Sequence, residues 1–186
     1  MNPIKNKKDL EATIDAIRNF AYSYLEKYSP SKQQLRIYLF KKFLKINQKI
    51  SNKKELLTLI DVVISTLGDQ NLISDKHYSD TKSKAFLRRG YSLNKIRYNL
   101  IKRGIDEKYI KASISKIKEN ESDPDFFSAI KICKRRRIGP GREESNRPLF
   151  YKKDISILAR SGFSYEISKK VLEIPKMEFK KFCKLI

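Results

Sequence analysis

The chain has 186 residues, 40% of them apolar, enough for one ordinary domain or several very small ones and too many for wholesale disorder. Its 42 lysines and arginines face 21 acids, a net charge of +21 that repels itself unless a polyanion, an acidic protein surface or an anionic membrane accepts it. No stretch approaches the roughly 18–20 apolar residues of a spanning helix, and the start MNPIKNKKDL has no signal-peptide pattern, so a cytoplasmic protein with no membrane partner is expected.

Apolar residues recur at three-and-four spacing along the first third of the chain: Leu10, Ile14, Ile17, Ala21, Tyr24, Leu25 and Tyr28; then Leu35, Tyr38, Leu39, Phe43 and Ile46; then Leu56, Ile60, Val63, Ile64 and Leu67. This is the period of amphipathic helices, and sustained period-two alternation is absent, so an all-α fold is expected. Ser29-Pro30 and Ser92 read as caps opening helices. Gly90, Gly104 and Gly162 read as left-handed exits, Asp123-Pro124 as a cap with proline at the first helical position, and Asp106 and Ser164 as caps of the helices after their glycines. The helices so bounded run about three turns each.

Short helices joined by short turns invite a search for internal repeats. A shift of 61 positions sets Leu25 on Phe86, Leu35 on Ile96, Arg36 on Arg97 and Leu39 on Leu100. A shift of 58 sets Leu100 on Leu158, Gly104 on Gly162, Ile105 on Phe163, Tyr109 on Ile167 and Ile114 on Leu172. The expectation is three tandem three-helix, helix-turn-helix-like repeats at 10–72, 73–120 and 123–174 in an elongated, curved array, followed by a tail at 175–186. The stretch KRRRIGPGREESNRPLFYKK, dense in glycine, proline and arginine, is expected to be a loop inserted in the third repeat.

Catalytic chemistry finds little purchase. His77 has no partner Cys or His at ligand spacing; Asp123 and Asp125 stand at a helix start, where they complement its dipole; and no G-x-x-x-x-G-K-[ST] loop is present. Cys133 and Cys183 are isolated and expected to be reduced thiols. The chain is therefore expected to be no enzyme and to carry no cofactor and no metal.

The basic runs are the stronger signal. From Lys82 to Arg103 the chain carries Lys82, Lys84, Arg88, Arg89, Lys95, Arg97, Lys102 and Arg103 with no acid among them. A solvated helix face ordinarily mixes signs, so such a run favours an anionic partner. A second cluster, Lys134, Arg135, Arg136 and Arg137 followed by Arg142 and Arg147, is rich in the guanidinium groups that pair bidentately with phosphate or carboxylate. Tyr91 and Tyr98 flank the first cluster and Phe150 and Tyr151 follow the second, where rings can stack on unpaired bases; Phe86 and Phe163 are expected in the core. YSLNKIRYNLIKRGIDEKYI also admits a helix-turn-helix reading with Asn94, Lys95 and Arg97 toward base edges, but its most basic helix precedes the Gly104 turn instead of following it.

The stretch LGDQNLISDKHYSDTKSKAFLRRGYSLNKIRYNLIKRGID resembles the central signature of the RecX family, with Asp75, Tyr78, Arg88, Arg89, Gly90, Ile96, Leu100, Gly104, Ile105 and Asp106 in the order the family shows. YSPSKQQLRIYLFKKF resembles that family's first repeat, and RRRIGP with LARSGFSYEISKKVL its third, so the similarity spans nearly the whole chain. Two positions depart from the pattern: Asn71 stands where glycine is common in the turn before Leu72-Ile73, and Phe43 where a repeat glycine is expected.

The resemblance implies a non-enzymatic regulator of the RecA recombinase in DNA recombination, repair and the SOS response. Such a protein binds the RecA filament on single-stranded DNA, with direct DNA contact admitted, and limits filament growth, ATP hydrolysis and co-protease activity. The residues expected to meet RecA or DNA are Arg88, Arg89, Lys95, Arg97, Lys102, Arg103, Lys134, Arg135, Arg136, Arg137 and Arg142, on a chain expected to be monomeric. The competing reading is a stand-alone architectural or non-specific DNA-binding protein.

Overall fold

The computed structural model describes residues 13–46 and 52–186; Leu10 and the expected start of the first repeat lie outside them. The described residues are all helical, with no strand: α1 Ile14–Leu25, α2 Lys32–Ile46, α3 Lys53–Asp69, α4 Asp75–Arg88, α5 Leu93–Ile101, α6 Glu107–Asn120, α7 Pro124–Arg136, α8 Arg147–Arg160, α9 Tyr165–Leu172 and α10 Lys176–Phe182. They divide into two compact units. Unit 1 holds Met1–Tyr78 with Arg103–Ile105, and unit 2 holds Ser79–Lys102 with Asp106–Ile186.

In unit 1 the apolar stripes of α1, α2 and α3 meet in one core of Ile17, Ala21, Leu35, Leu39, Phe43, Leu56, Ile60, Val63 and Leu67. Phe43 keeps α2 helical at the position where a glycine was expected. Its ring is fully buried and meets Phe20 edge-on at 5.5 Å, and the helix continues to Ile46. At 15 and 17 residues, α2 and α3 exceed the expected three turns. Asn71 takes the left-handed conformation, φ 57°, that its place in the turn requires, which asparagine tolerates better than other residues with a Cβ.

The cap of α2 is Ser31, not Ser29. Ser31 Oγ accepts from the Gln34 N–H at 3.2 Å while the Ser31 N–H donates to Gln34 Oε1 at 3.1 Å, a capping box that Ser29, two residues earlier, cannot form with this helix. The same hydroxyl donates to the Arg103 carbonyl at 2.7 Å, the Lys32 N–H donates to Asp75 Oδ1 at 2.9 Å, and Gly104 lies against Gln33. Burial pushes the Tyr78 hydroxyl up, and hydrogen bonds with Arg103 and Gln34 pull it partly back.

In unit 2 the arrangement recurs. Ser92 Oγ accepts from the Lys95 N–H and donates to the Ser161 carbonyl at 3.1 Å, the Leu93 N–H donates to Asp125 Oδ1 at 2.7 Å, and Gly162 lies against Ser92 and Lys95. The caps Asp106, Asp123 and Ser164 and the left-handed Gly90, Gly104 and Gly162 stand as the sequence indicates. Phe126, Ala129, Ile130, Cys133, Leu158, Phe163, Val171 and Leu172 form the core of α7, α8 and α9, and α10 of the tail adds Phe179.

The expected loop is mostly ordered helix. Lys134–Arg136 complete α7, Gly139–Gly141 and Glu144–Asn146 form two 3-10 turns, and α8 already begins at Arg147. The reason is Asp154, 1% exposed, which accepts from the Gly139 N–H at 2.8 Å and from Arg142 Nε and Nη2 at 2.7 and 2.8 Å. Arg147 then donates to the Leu172 and Ile174 carbonyls at 2.6 and 2.9 Å, satisfying acceptors at the end of α9.

At Gly104, φ is +73° and an added Cβ would stand 2.5 Å from Gln33 Cβ. Gly104→Ala is expected to cost about 2 kcal/mol, combining left-handed strain with the clash. Gly68, inside α3, would meet only the movable end of Lys32, so Gly68→Ala is expected to leave stability unchanged or raise it by up to about 1 kcal/mol. Urea unfolding midpoints of the two variants check the contrast.

Candidate binding surface

The two basic clusters of the sequence meet in unit 2. Arg88 and Arg89 lie at the end of α4, Lys134–Arg137 end and follow α7, and Arg135 Nη1 donates to the Arg89 carbonyl at 2.9 Å, which brings the two helix ends together. Cations suit such ends, where the last carbonyls are unsatisfied and the helix dipole is negative. The Arg88, Arg89, Arg135, Arg136 and Arg137 side chains are exposed, and none of them forms an ion pair among the described residues.

Beside them a cavity of about 430 Å³ is lined by the apolar Leu87 and Ile117, by Lys84, Arg88, Lys116 and Lys131, and by the acids Asp80 and Glu121. Asp80 at its edge is already engaged, by Ser113 at 2.6 Å and Lys116 at 2.7 Å. Lys131 belongs to this surface but was missed by reading charge runs. Ile132 and Cys133 separate it from the run that begins at Lys134, and the usable signal is helical spacing: Lys131 stands one turn before Arg135 on α7.

The remaining candidates are engaged to different degrees. Lys95 lies over the Tyr91 ring at 5.0 Å and donates to the Arg160 carbonyl; Arg97 pairs with Glu107 at 2.9 Å; Lys134 donates to the Cys183 carbonyl at 2.8 Å. Lys102 is exposed, and Arg103, in unit 1, interacts with Tyr78. Arg142 is the clamp on Asp154, with its guanidinium also 4.5 Å from the Phe150 ring centre. Tyr91 stacks on the buried Phe86 at 5.3 Å, which leaves Tyr98, 64% exposed, as the open ring of the first cluster.

A second cleft of about 810 Å³ holds Glu107, Asp123 and Asp125, and these carboxylates have other duties. Asp123 caps α7 and reaches Lys170, Asp125 holds the Leu93 N–H, and Glu107 pairs with Arg97. Burial raises the pKa of Asp125, opposed by the Leu93 hydrogen bond. No group of three or more His, Cys, Asp or Glu placed to hold a metal occurs among the described residues, and His77 is exposed at the start of α4. Burial, reinforced by the nearby Asp154 carboxylate, pushes the Cys133 thiol up to about 12, so it remains a protonated packing group at neutral pH. No described helix is long and apolar enough to cross a membrane.

No protein-family model matches the chain. It is 28% identical to the regulatory protein RecX of Myxococcus xanthus (strain DK1622), over 90% of this chain and 89% of that protein. It is 25% identical to the regulatory protein RecX of Clostridium perfringens (strain SM101 / Type A), over 80% of this chain and 63% of that protein. The crystal structure of RecX from Lactobacillus salivarius superposes with a TM-score of 0.60 at 20% identity, covering 90% of this chain and 97% of that one, and so shares its fold. The chain is similar, over nearly its whole length, to proteins named RecX. The cations that converge in unit 2 are thus carried on an all-helical RecX fold.

Two arginines of one sequence cluster separate by environment. Arg142→Ala is expected to destabilise the protein by about 3 kcal/mol, because Asp154 remains buried without its counter-charge. Arg136→Ala, at an exposed site, is expected to change stability by no more than about 0.5 kcal/mol. Denaturant titrations of both variants measure the difference directly.

Proposed function

We propose that this chain is a regulatory, non-catalytic protein that binds the RecA filament on single-stranded DNA and limits filament growth, ATP hydrolysis and co-protease activity. Similarity along nearly its whole length to a protein named regulatory protein RecX carries the reading. The exposed cations at the ends of α4 and α7 suit it, because a filament on DNA offers acidic protein surface and phosphate at regular spacing.

In this reading Arg88, Arg89, Lys102, Arg136 and Arg137 meet the partner first, with Lys95, Arg97, Lys134 and Arg135 available beside them at the cost of the contacts they now make. Arg103 and Arg142 serve chiefly to hold the fold that presents the others. The helices are read as three tandem repeats, and several weak sites held at fixed spacing bind a regular filament far more tightly than a lone subunit.

The deciding experiment titrates the chain into RecA hydrolysing ATP on single-stranded DNA, at a salt concentration where the chain alone binds no DNA. Inhibition well below one chain per RecA is expected. The variant with Arg88, Arg89, Arg136 and Arg137 all changed to alanine should keep its helical circular dichroism and lose at least about tenfold in inhibitory potency, a loss of about 1.4 kcal/mol. An unaffected ATPase rate with the wild-type chain would return the function to RecA-independent DNA binding, whose affinity falls with salt by about 0.7 logarithmic units per neutralised phosphate on single strands.

A further inference from the structure

We propose that Tyr24, Tyr28 and Tyr38 of unit 1 form a stacking platform for an unpaired base of single-stranded nucleic acid, with Lys41, Lys42 and Lys45 of α2 taking the neighbouring phosphates. The platform is separate from the cations of unit 2 and stands whether or not RecA is the partner.

The geometry is that of a preformed aromatic surface. The rings of Tyr24 and Tyr38 stack with centroids 3.9 Å apart and planes within 19°, and Tyr28 lies 4.8 Å from Tyr24 at 40°. Tyr28 is 58% exposed although its N–H, donating to the Tyr24 carbonyl at 3.0 Å, fixes its backbone just beyond the end of α1. A ring ordered from behind and open in front loses little freedom when a base settles on it.

Cations line the same surface. Phe20, Tyr24 and Tyr28 follow one another at four-residue spacing, and Tyr38, Lys42 and Lys45 follow along one face of α2. Lys42 stands over the Phe20 ring at 5.3 Å, which ties the two rows together. The whole of α2 contains no acid, and Arg36 on it already pairs with Asp61, which leaves Lys41 and Lys45 as exposed charges. The acids of α1 and its end are Asp15, paired with Arg18, and Glu26, two residues before Tyr28. An acidic peptide would satisfy the lysines and leave the tyrosine faces unused. Duplex DNA presents phosphates but hides the faces of its bases. Single strands offer both.

The test uses the full chain without RecA and follows the anisotropy of labelled oligo(dT), and of a duplex of equal length, across a series of salt concentrations. Tyr28→Ala is expected to weaken single-strand binding about tenfold, the order of one base stacked on one ring, with duplex binding and the slope of log K against log salt unchanged. Changing Lys41 and Lys45 to alanine is expected to flatten the slope instead, by about 0.7 per lysine. Tyr28→Trp, which enlarges the stacking face on the same backbone, is expected to bind oligo(dT) at least as tightly as the wild type. Wild-type affinity in Tyr28→Ala, equal losses on single strands and duplex, weaker binding by Tyr28→Trp, or no single-strand binding by the wild-type chain would each overturn the proposal.

Discussion

A buried serine hydroxyl that performs two tasks at once organises both units. Ser31 and Ser92 each accept from the N–H three residues on, which closes a helix start, and each donates its own proton to a carbonyl far along the chain, at Arg103 and Ser161. A cap alone contributes about 1 kcal/mol, and a buried hydrogen bond about as much again. Neither is large, but the two share one oxygen, so losing it orphans a donor at the helix start and an acceptor elsewhere together. The next N–H in each case, of Lys32 or Leu93, is taken by an aspartate, Asp75 or Asp125. The chain can approach the cap so closely only where the carbonyl is followed by a residue without Cβ. Gly104 and Gly162, both at positive φ, fill that place.

The two junctions share one geometry. Each uses a serine, an aspartate and a glycine, beside helices whose facing is set by the buried Leu35, Leu39, Ile96, Leu100 and Leu158. The chain around them is rich in positive charge. A net charge of +21 opposes folding through self-repulsion, and among the described residues the ion pairs that relieve it are few and mostly exposed. The Arg142–Asp154 pair is of another kind, since it turns a segment rich in arginine and glycine into part of the core of unit 2.

Local signals were legible in the sequence and distant ones were not. Ser92, Asp106, Asp123 and Ser164 could be read as caps because each stands directly before a helical period, and the glycine exits because each ends one. Ser29-Pro30 reads as a cap, whereas the decisive residue is Gln34, three positions after Ser31. The ordered segment after α7 escaped notice because its organiser, Asp154, lies 12 residues beyond the arginine it holds, and nothing in a local window connects them. Among the candidate cations, the sequence registers charge but not partners. Arg136 and Arg142 look alike until one is exposed and the other is clamped.

Tyr28 shows the same limit from the other side. Its spacing places it on the apolar face of α1, where it reads as one more core residue, but α1 ends at Leu25 and the ring is left in the open. Periodicity identifies the face a residue would occupy if its helix continued; only the helix end decides whether that face still meets a core. The consequence is energetic. Cations such as those at the ends of α4 and α7 would act on a phosphate backbone through counterion release, a contribution that fades as salt rises. A stacked tyrosine contributes through ring surface, which salt scarcely touches. A chain holding both kinds of surface can be drawn to a polyanion by charge and retain a single strand by its bases, a discrimination that net charge alone cannot supply.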